Sequence, residues 1–290
     1  MFAIVLWVIS AAFDSASLSF RKKALDNWKL SKTMFKYFAF VFWVWMVIFL
    51  NYTFWIQYSI ITDYSFLLLW LVITIVSIIN TYLQLHVLKT VKLSEMLPYN
   101  NLDKLFIVII WYVLYYWTDK ETSIITLWTT LLTIVLIIVL TIDFKNIKIP
   151  KSIWLFSLQK FIKAITVVAI WLLLIKYTNI TFVALNLFFE LIIYTIIAFI
   201  LKDSFKSLLT QSKTFYISRV WATILGRTAY IIWLYILQTS WLIVATLLWF
   251  LGIVFNILSM KFILNDTPTK KQIHLAFMVL ILIWIWYYFK

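Results

Sequence analysis

Apolar runs of 17 to 24 residues recur from one end of the chain to the other, separated by short stretches in which lysine, asparagine, serine and threonine collect. A helix rising 1.5 Å per residue needs about 20 residues to cross the roughly 30 Å hydrocarbon layer. The pattern therefore predicts about ten spanning helices: Phe2 to Phe20, Phe35 to Trp55, Phe66 to Leu88, Met96 to Trp117, Ile124 to Ile142, Ile153 to Ile175, Ile180 to Leu201, Phe215 to Leu237, Trp241 to Leu264 and Ile273 to Phe289. These runs are apolar on every side and far longer than the alternating strands of about ten residues that build a membrane barrel. Only a helix satisfies its own backbone within lipid, so the predicted fold class is an all-α membrane protein. Aromatic clusters fall where spans end, at Tyr112, Tyr115, Tyr116 and Trp117 and again at Trp284, Trp286, Tyr287 and Tyr288, as interfacial anchoring requires. The connections are short, which predicts antiparallel neighbours in one membrane domain with no hydrophilic stretch long enough for a soluble one.

Composition narrows the chemistry. The 290 residues are 65% hydrophobic and 12% charged, against roughly 25% charged in soluble domains, so no water-soluble skin can be assembled. Cysteine is absent and there are two histidines, His86 and His274, so disulfides, thiolate sites and a histidine-built metal centre are not expected. No phosphate-cradling glycine loop, His-Glu-x-x-His or Gly-x-Ser-x-Gly occurs, which points away from an enzyme and from a nucleotide cofactor. The net charge of +14 belongs to membrane topology rather than to nucleic acid. Outside the spans, fifteen Lys and Arg lie in the connections after odd-numbered spans and three, Lys120, Lys176 and Lys290, on the other side, which puts both termini outside the cytoplasm. The first span lacks a basic segment before it and a small-residue cleavage site after it, so it is expected to be a retained helix of a protein in the cytoplasmic membrane.

An internal repeat is also visible. Glu121 begins Glu-Thr-Ser-Ile-Ile-Thr and Asp266 begins Asp-Thr-Pro-Thr-Lys-Lys; each follows a long apolar run and precedes another, and they lie 145 residues apart, half the chain. Phe20-Arg-Lys-Lys-Ala24 is echoed more briefly by Phe161-Ile-Lys-Ala164. Two units of five helices, residues 1–145 and 146–290, follow, and an odd number per unit makes them inverted. With the stretch Leu88-Lys-Thr-Val-Lys-Leu-Ser-Glu-Met-Leu-Pro98, these features resemble the EamA-type branch of the drug/metabolite transporter superfamily. The resemblance implies an acidic residue before the fifth helix of each unit, a cavity enclosed by a basket of helices, and both termini inside, opposite to the charge count. It departs from the family in glycine, since Gly226 and Gly252 are the only two, so close helix contacts must fall to Ala, Ser and Thr.

Ionisable groups at membrane depth are expensive unless they face a cavity or a partner. Lys36, His86 and Lys261 lie at span ends and are expected to reach the interface, and Arg219 to snorkel. Asp14, Lys163, Glu190 and Arg227 lie nearer mid-helix, with Asp103, Lys104 and Lys160 also within spans. Glu190 is expected either to pair with Arg227 or Lys163 or to serve transport. Asn186 stands four residues before Glu190, Asn100 three before Asp103, and Asn80 and Gln84 one turn apart, which makes polar stripes, with Asn256 on the ninth span. The substrate pathway is thus assigned to Asp14, Asn80, Gln84, Asn100, Asp103, Lys163, Glu190, Arg227 and Asn256. The first, third, fourth, sixth, eighth and ninth spans are expected to line it, and the fifth and tenth to face lipid.

Together these readings describe a secondary transporter, an exporter by expectation, that moves a small polar or amphipathic metabolite such as an amino acid or organic anion by alternating access. A proton is the candidate coupling ion, because a desolvated carboxylate at the position of Asp14 can exchange one for substrate. An intramembrane lipid-modifying enzyme and a flippase for a lipid-linked sugar are the alternatives.

Overall fold

A computed structural model describes residues 2–28, 34–36, 62–91, 96, 102–115, 124–141, 151–239, 246 and 249–289. Among them there is no strand. The helices are α1 (Phe2–Asp26), α2 (Tyr64–Thr90), α3 (Leu102–Tyr115), α4 (Ile124–Thr141), α5 (Lys151–Leu174), α6 (Asn179–Ile200), α7 (Lys213–Thr239), α8 (Leu251–Ser259) and α9 (Lys270–Phe289). Six of these, α1, α2, α5, α6, α7 and α9, contain stretches long and apolar enough to cross a membrane, and the chain is a multi-pass helical membrane protein. The second predicted span lies outside the described residues beyond Lys36, and so do Asn100 and Glu121.

Large apolar side chains point outward at helical spacing: Leu68, Val72, Ile75 and Ile79 on α2, Trp128, Leu132 and Val135 on α4, and Phe277, Ile281, Trp284 and Tyr288 on α9. Stripes of this extent belong against acyl chains, where exposure to water would make them an association hazard. The inner faces carry the polar groups.

Helix packing follows small residues. On α1, Ser10 donates to the Ala229 carbonyl at 3.0 Å and Ser17 to that of Ala222 at 2.6 Å, so α1 and α7 run antiparallel with their backbones close together. Ser15 donates to the Gly252 carbonyl at 3.2 Å, and Ser19 shares a hydrogen bond of 2.9 Å with Ser259, which brings α8 against the same helix. Hydroxyls on two faces of one helix, Ser10 and Ser17 toward α7 and Ser15 and Ser19 toward α8, thus do the joining that glycines and alanines do in glycine-rich bundles. Elsewhere α5 packs on both α2 and α3, and α4 packs on α9.

The helix ends are set by local chemistry. Thr178 caps α6, its hydroxyl accepting from the Thr181 amide at 3.3 Å. Lys202 adopts a left-handed φ of 51° just past α6, and the Asp203 amide reaches back to the Ala198 carbonyl at 3.0 Å, a Schellman closure. α8 runs into one π turn (Met260–Leu264) that Asn265 ends at φ 55°. Thr269 and Gln272 then form a reciprocal capping box at the start of α9, with distances of 2.8 and 3.3 Å.

α1 continues to Asp26, past the predicted end at Phe20, and this extension has consequences. It carries Arg21 into the helical bundle and lets Lys22 donate to the Leu88 carbonyl at 2.7 Å, at the C-terminal end of α2, where cations are favoured.

Candidate substrate cavity

The inward faces of α1, α2, α5, α6, α7 and α8, with Lys36, Lys104 and Trp249, line a cavity of about 270 Å³. α4 and α9 contribute nothing to its lining among the described residues. The lining differs from expectation in α6, whose Asn186 and Glu190 face the cavity although the seventh span was not among those expected to do so.

Helical periodicity places the polar groups. Trp7, Asp14 and Arg21 recur every seven residues on α1 and share a face; on α2, Ser77, Asn80, Thr81 and Gln84 do the same. Asp14 is open to the cavity and has no hydrogen bond or ion pair within the described residues. Asn80 accepts from the Gln159 side-chain amide at 2.8 Å, and Gln84 from the Arg21 guanidinium at 3.0 Å. Asn256 on α8 lines the cavity, and its side-chain oxygen lacks a hydrogen-bond donor among the described residues.

Two acids are held in ion pairs. Asp103, fully buried behind the lining, accepts from Lys163 Nζ at 2.6 Å. Glu190 lies 3.6 Å from the Arg227 guanidinium and accepts from Asn186 Nδ2 at 3.0 Å, and Asn186 in turn accepts from Thr74 at 3.3 Å. Of the two partners expected for Glu190, the structure selects Arg227 and gives Lys163 to Asp103. Such pairs fix helix register, because separating them strands a charge in a medium of low dielectric.

Beside Lys163, the cavity gathers bases that the sequence does not assign to the pathway. Arg219, expected to snorkel, is 3% exposed; its Nε donates to the Phe35 carbonyl at 3.2 Å and its guanidinium lies 4.4 Å from the Phe35 ring centre. Lys36 lines the cavity instead of the interface. Lys104 and Lys160 are buried, the first 5.4 Å from the Trp249 ring and the second 4.9 Å from that of Phe156, and Lys163 lies 4.5 Å over Trp249. The signal for Arg21 was present in its seven-residue offset from Asp14. For Lys36 no local pattern distinguishes a cavity residue from an interfacial one, since the distinction depends on which neighbours close around it.

No family model matches the chain, and no curated protein matches it. Among solved structures it is similar to one described only as "Crystal structure of protein", with a TM-score of 0.54 and 13% identity over 96% of this chain and 91% of that one. At that identity the likeness concerns the fold alone.

Proposed function

We propose that this protein is a secondary transporter of the cytoplasmic membrane that carries a small polar or amphipathic metabolite by alternating access between two inverted five-helix halves, with about ten spans in all. The observation that carries the reading is the charged cavity at membrane depth, walled by helices from both halves of the chain. Its ionisable groups face that space rather than lipid, as groups on a solute pathway must.

The helix pairings support the inverted repeat. If residues 1–145 and 146–290 are equivalent, α1 corresponds to α5, α2 to α7, α3 to α8 and α4 to α9. The contact of α1 with α7 then maps onto that of α5 with α2, the contact of α1 with α8 onto that of α5 with α3, and the contact of α4 with α9 onto itself. A two-fold axis lying in the membrane plane relates contacts in this way. The exclusion of α4 and α9 from the cavity agrees with the basket that the EamA-type resemblance implies.

Alternating access has a direct test in a chain without cysteine. Single cysteines at Ser77 and Thr223, both on the cavity wall, are expected to react with an impermeant reagent from either side of the membrane. A counter-flowing substrate should protect them, and labelling from one side alone under every condition would overturn the reading. Asp14→Asn in uptake driven by a pH gradient tests the proton as coupling ion, and undiminished accumulation would remove it.

A further inference from the structure

Charge at membrane depth is strongly one-sided. The cavity wall carries a lysine group of Lys104, Lys160 and Lys163, and a second group of Arg21, Lys36, Arg219 and Arg227, against two acids, Asp14 and Glu190. Asp103 adds a third acid behind the lysines. The chain has eleven acids, and the other eight all lie outside the predicted spans, so no acid elsewhere in a span cancels this excess. Arg21 and Arg219 donate to neutral acceptors, the Gln84 side-chain carbonyl and the Phe35 backbone carbonyl, which stabilise these two cations without neutralising them.

A net excess of positive charge in a low-dielectric space is costly, and a solute that brings negative charge relieves it. A zwitterion brings no net charge and a monoanion cancels one. The arginines offer planar forks suited to paired oxygens, and the lysines offer point charges. A volume of about 270 Å³ is at the small end for ligand sites. Trp7, Trp233 and Trp249 supply apolar wall for a short carbon skeleton.

We propose that the cavity binds compact organic anions carrying two or more negative charges, through a phosphate or paired carboxylates, and that Asp14 is the resident counter-charge such an anion competes with. This deepens the transporter reading and rests on it only in taking the cavity for the substrate's route.

The test uses the purified full-length protein with glycerol phosphate and succinate as dianions, lactate as monoanion, alanine as zwitterion and tetraethylammonium as cation. Both dianions, or one of them, are expected to raise the unfolding temperature, with an effect that shrinks as salt rises; which one acts separates phosphate from carboxylate recognition. Lys160→Gln is expected to weaken dianion binding by about tenfold and Asp14→Asn to strengthen it by about as much, since each alters the cavity by one charge. Lys160→Arg should restore affinity, and Lys104→Gln serves if Lys160→Gln does not fold. Stabilisation by alanine, lactate or the cation equal to that by the dianions would overturn the proposal, as would weaker dianion binding in Asp14→Asn. Counterflow in proteoliposomes separates the two readings. Dianion binding without exchange keeps the site and removes the carrier, whereas exchange of alanine without dianion binding keeps the carrier and removes the substrate class.

Discussion

At the scale of single residues, the two glycines make opposite cases. A Cβ at Gly226 would collide with the Ser17 hydroxyl, which is already engaged with the Ala222 carbonyl, whereas one at Gly252 would sit 3.9 Å from Trp249 and 4.0 Å from Ser15. Gly226→Ala is therefore expected to cost about 1–3 kcal/mol through overpacking, and Gly252→Ala to stay within about 0.5 kcal/mol of the parent. Thermal unfolding in detergent checks both, and equal effects would show that α1 yields at Ser17. Mid-helix charges such as Asp14, Glu190 and Arg227 stand out in the sequence because they interrupt apolar runs. Their partners do not, because the pairs of Asp103 with Lys163 and Glu190 with Arg227 join residues 60 and 37 positions apart. Only the packing of α3 on α5, and of α6 on α7, decides them.

At the scale of elements, the connection between α5 and α6 is tied to the start of α2 outside the membrane. Asp63 accepts from Lys176 Nζ at 2.9 Å, from Tyr177 at 3.3 Å and from Ser65 at 2.8 Å. The hydrogen bonds from Lys176, and then from Ser65, hold the Asp63 carboxyl down to about 2, from an ordinary 3.8. A carboxyl depressed on folding stabilises the native state above its unfolded value and loses that contribution as pH falls through its folded one. The tie is therefore expected to weaken between pH 3.8 and about 2. The effect is small, because Lys176 is solvent-exposed and Asp63 partly so. Asp63→Asn should flatten the fall of the unfolding temperature across that window, and an unchanged slope would assign the acid sensitivity elsewhere. Helix positions were largely readable from the length of apolar runs, since lipid tolerates nothing else. The ends were less so: α1 overruns Phe20 because Arg21, Lys22 and Lys23 find acceptors on α2 and past α8, and a hydropathy pattern carries no record of tertiary acceptors.

At the scale of the whole molecule, polar and apolar surfaces are arranged inside out relative to a soluble protein, with apolar stripes outside and ionisable groups within. The contact between α4 and α9 lies apart from the charged interior and, under the proposed repeat, is the pairing that maps onto itself. Two bodies that tilt about a shared axis move least where they touch on it, so this pair would act as the fulcrum. The serine-studded seam of α1 and α7 is off that axis, because the proposed repeat maps it onto the contact of α5 with α2. A covalent bridge engineered between α4 and α9 should then leave turnover close to normal, while one across α1 and α7 should arrest it. Exchange assays on the two bridged proteins, before and after reduction, would expose the opposite ranking if the hinge lies elsewhere. On the same geometry, stretching or thinning the surrounding bilayer acts first on the fulcrum helices, and lipid thickness becomes a handle on turnover that never touches the solute.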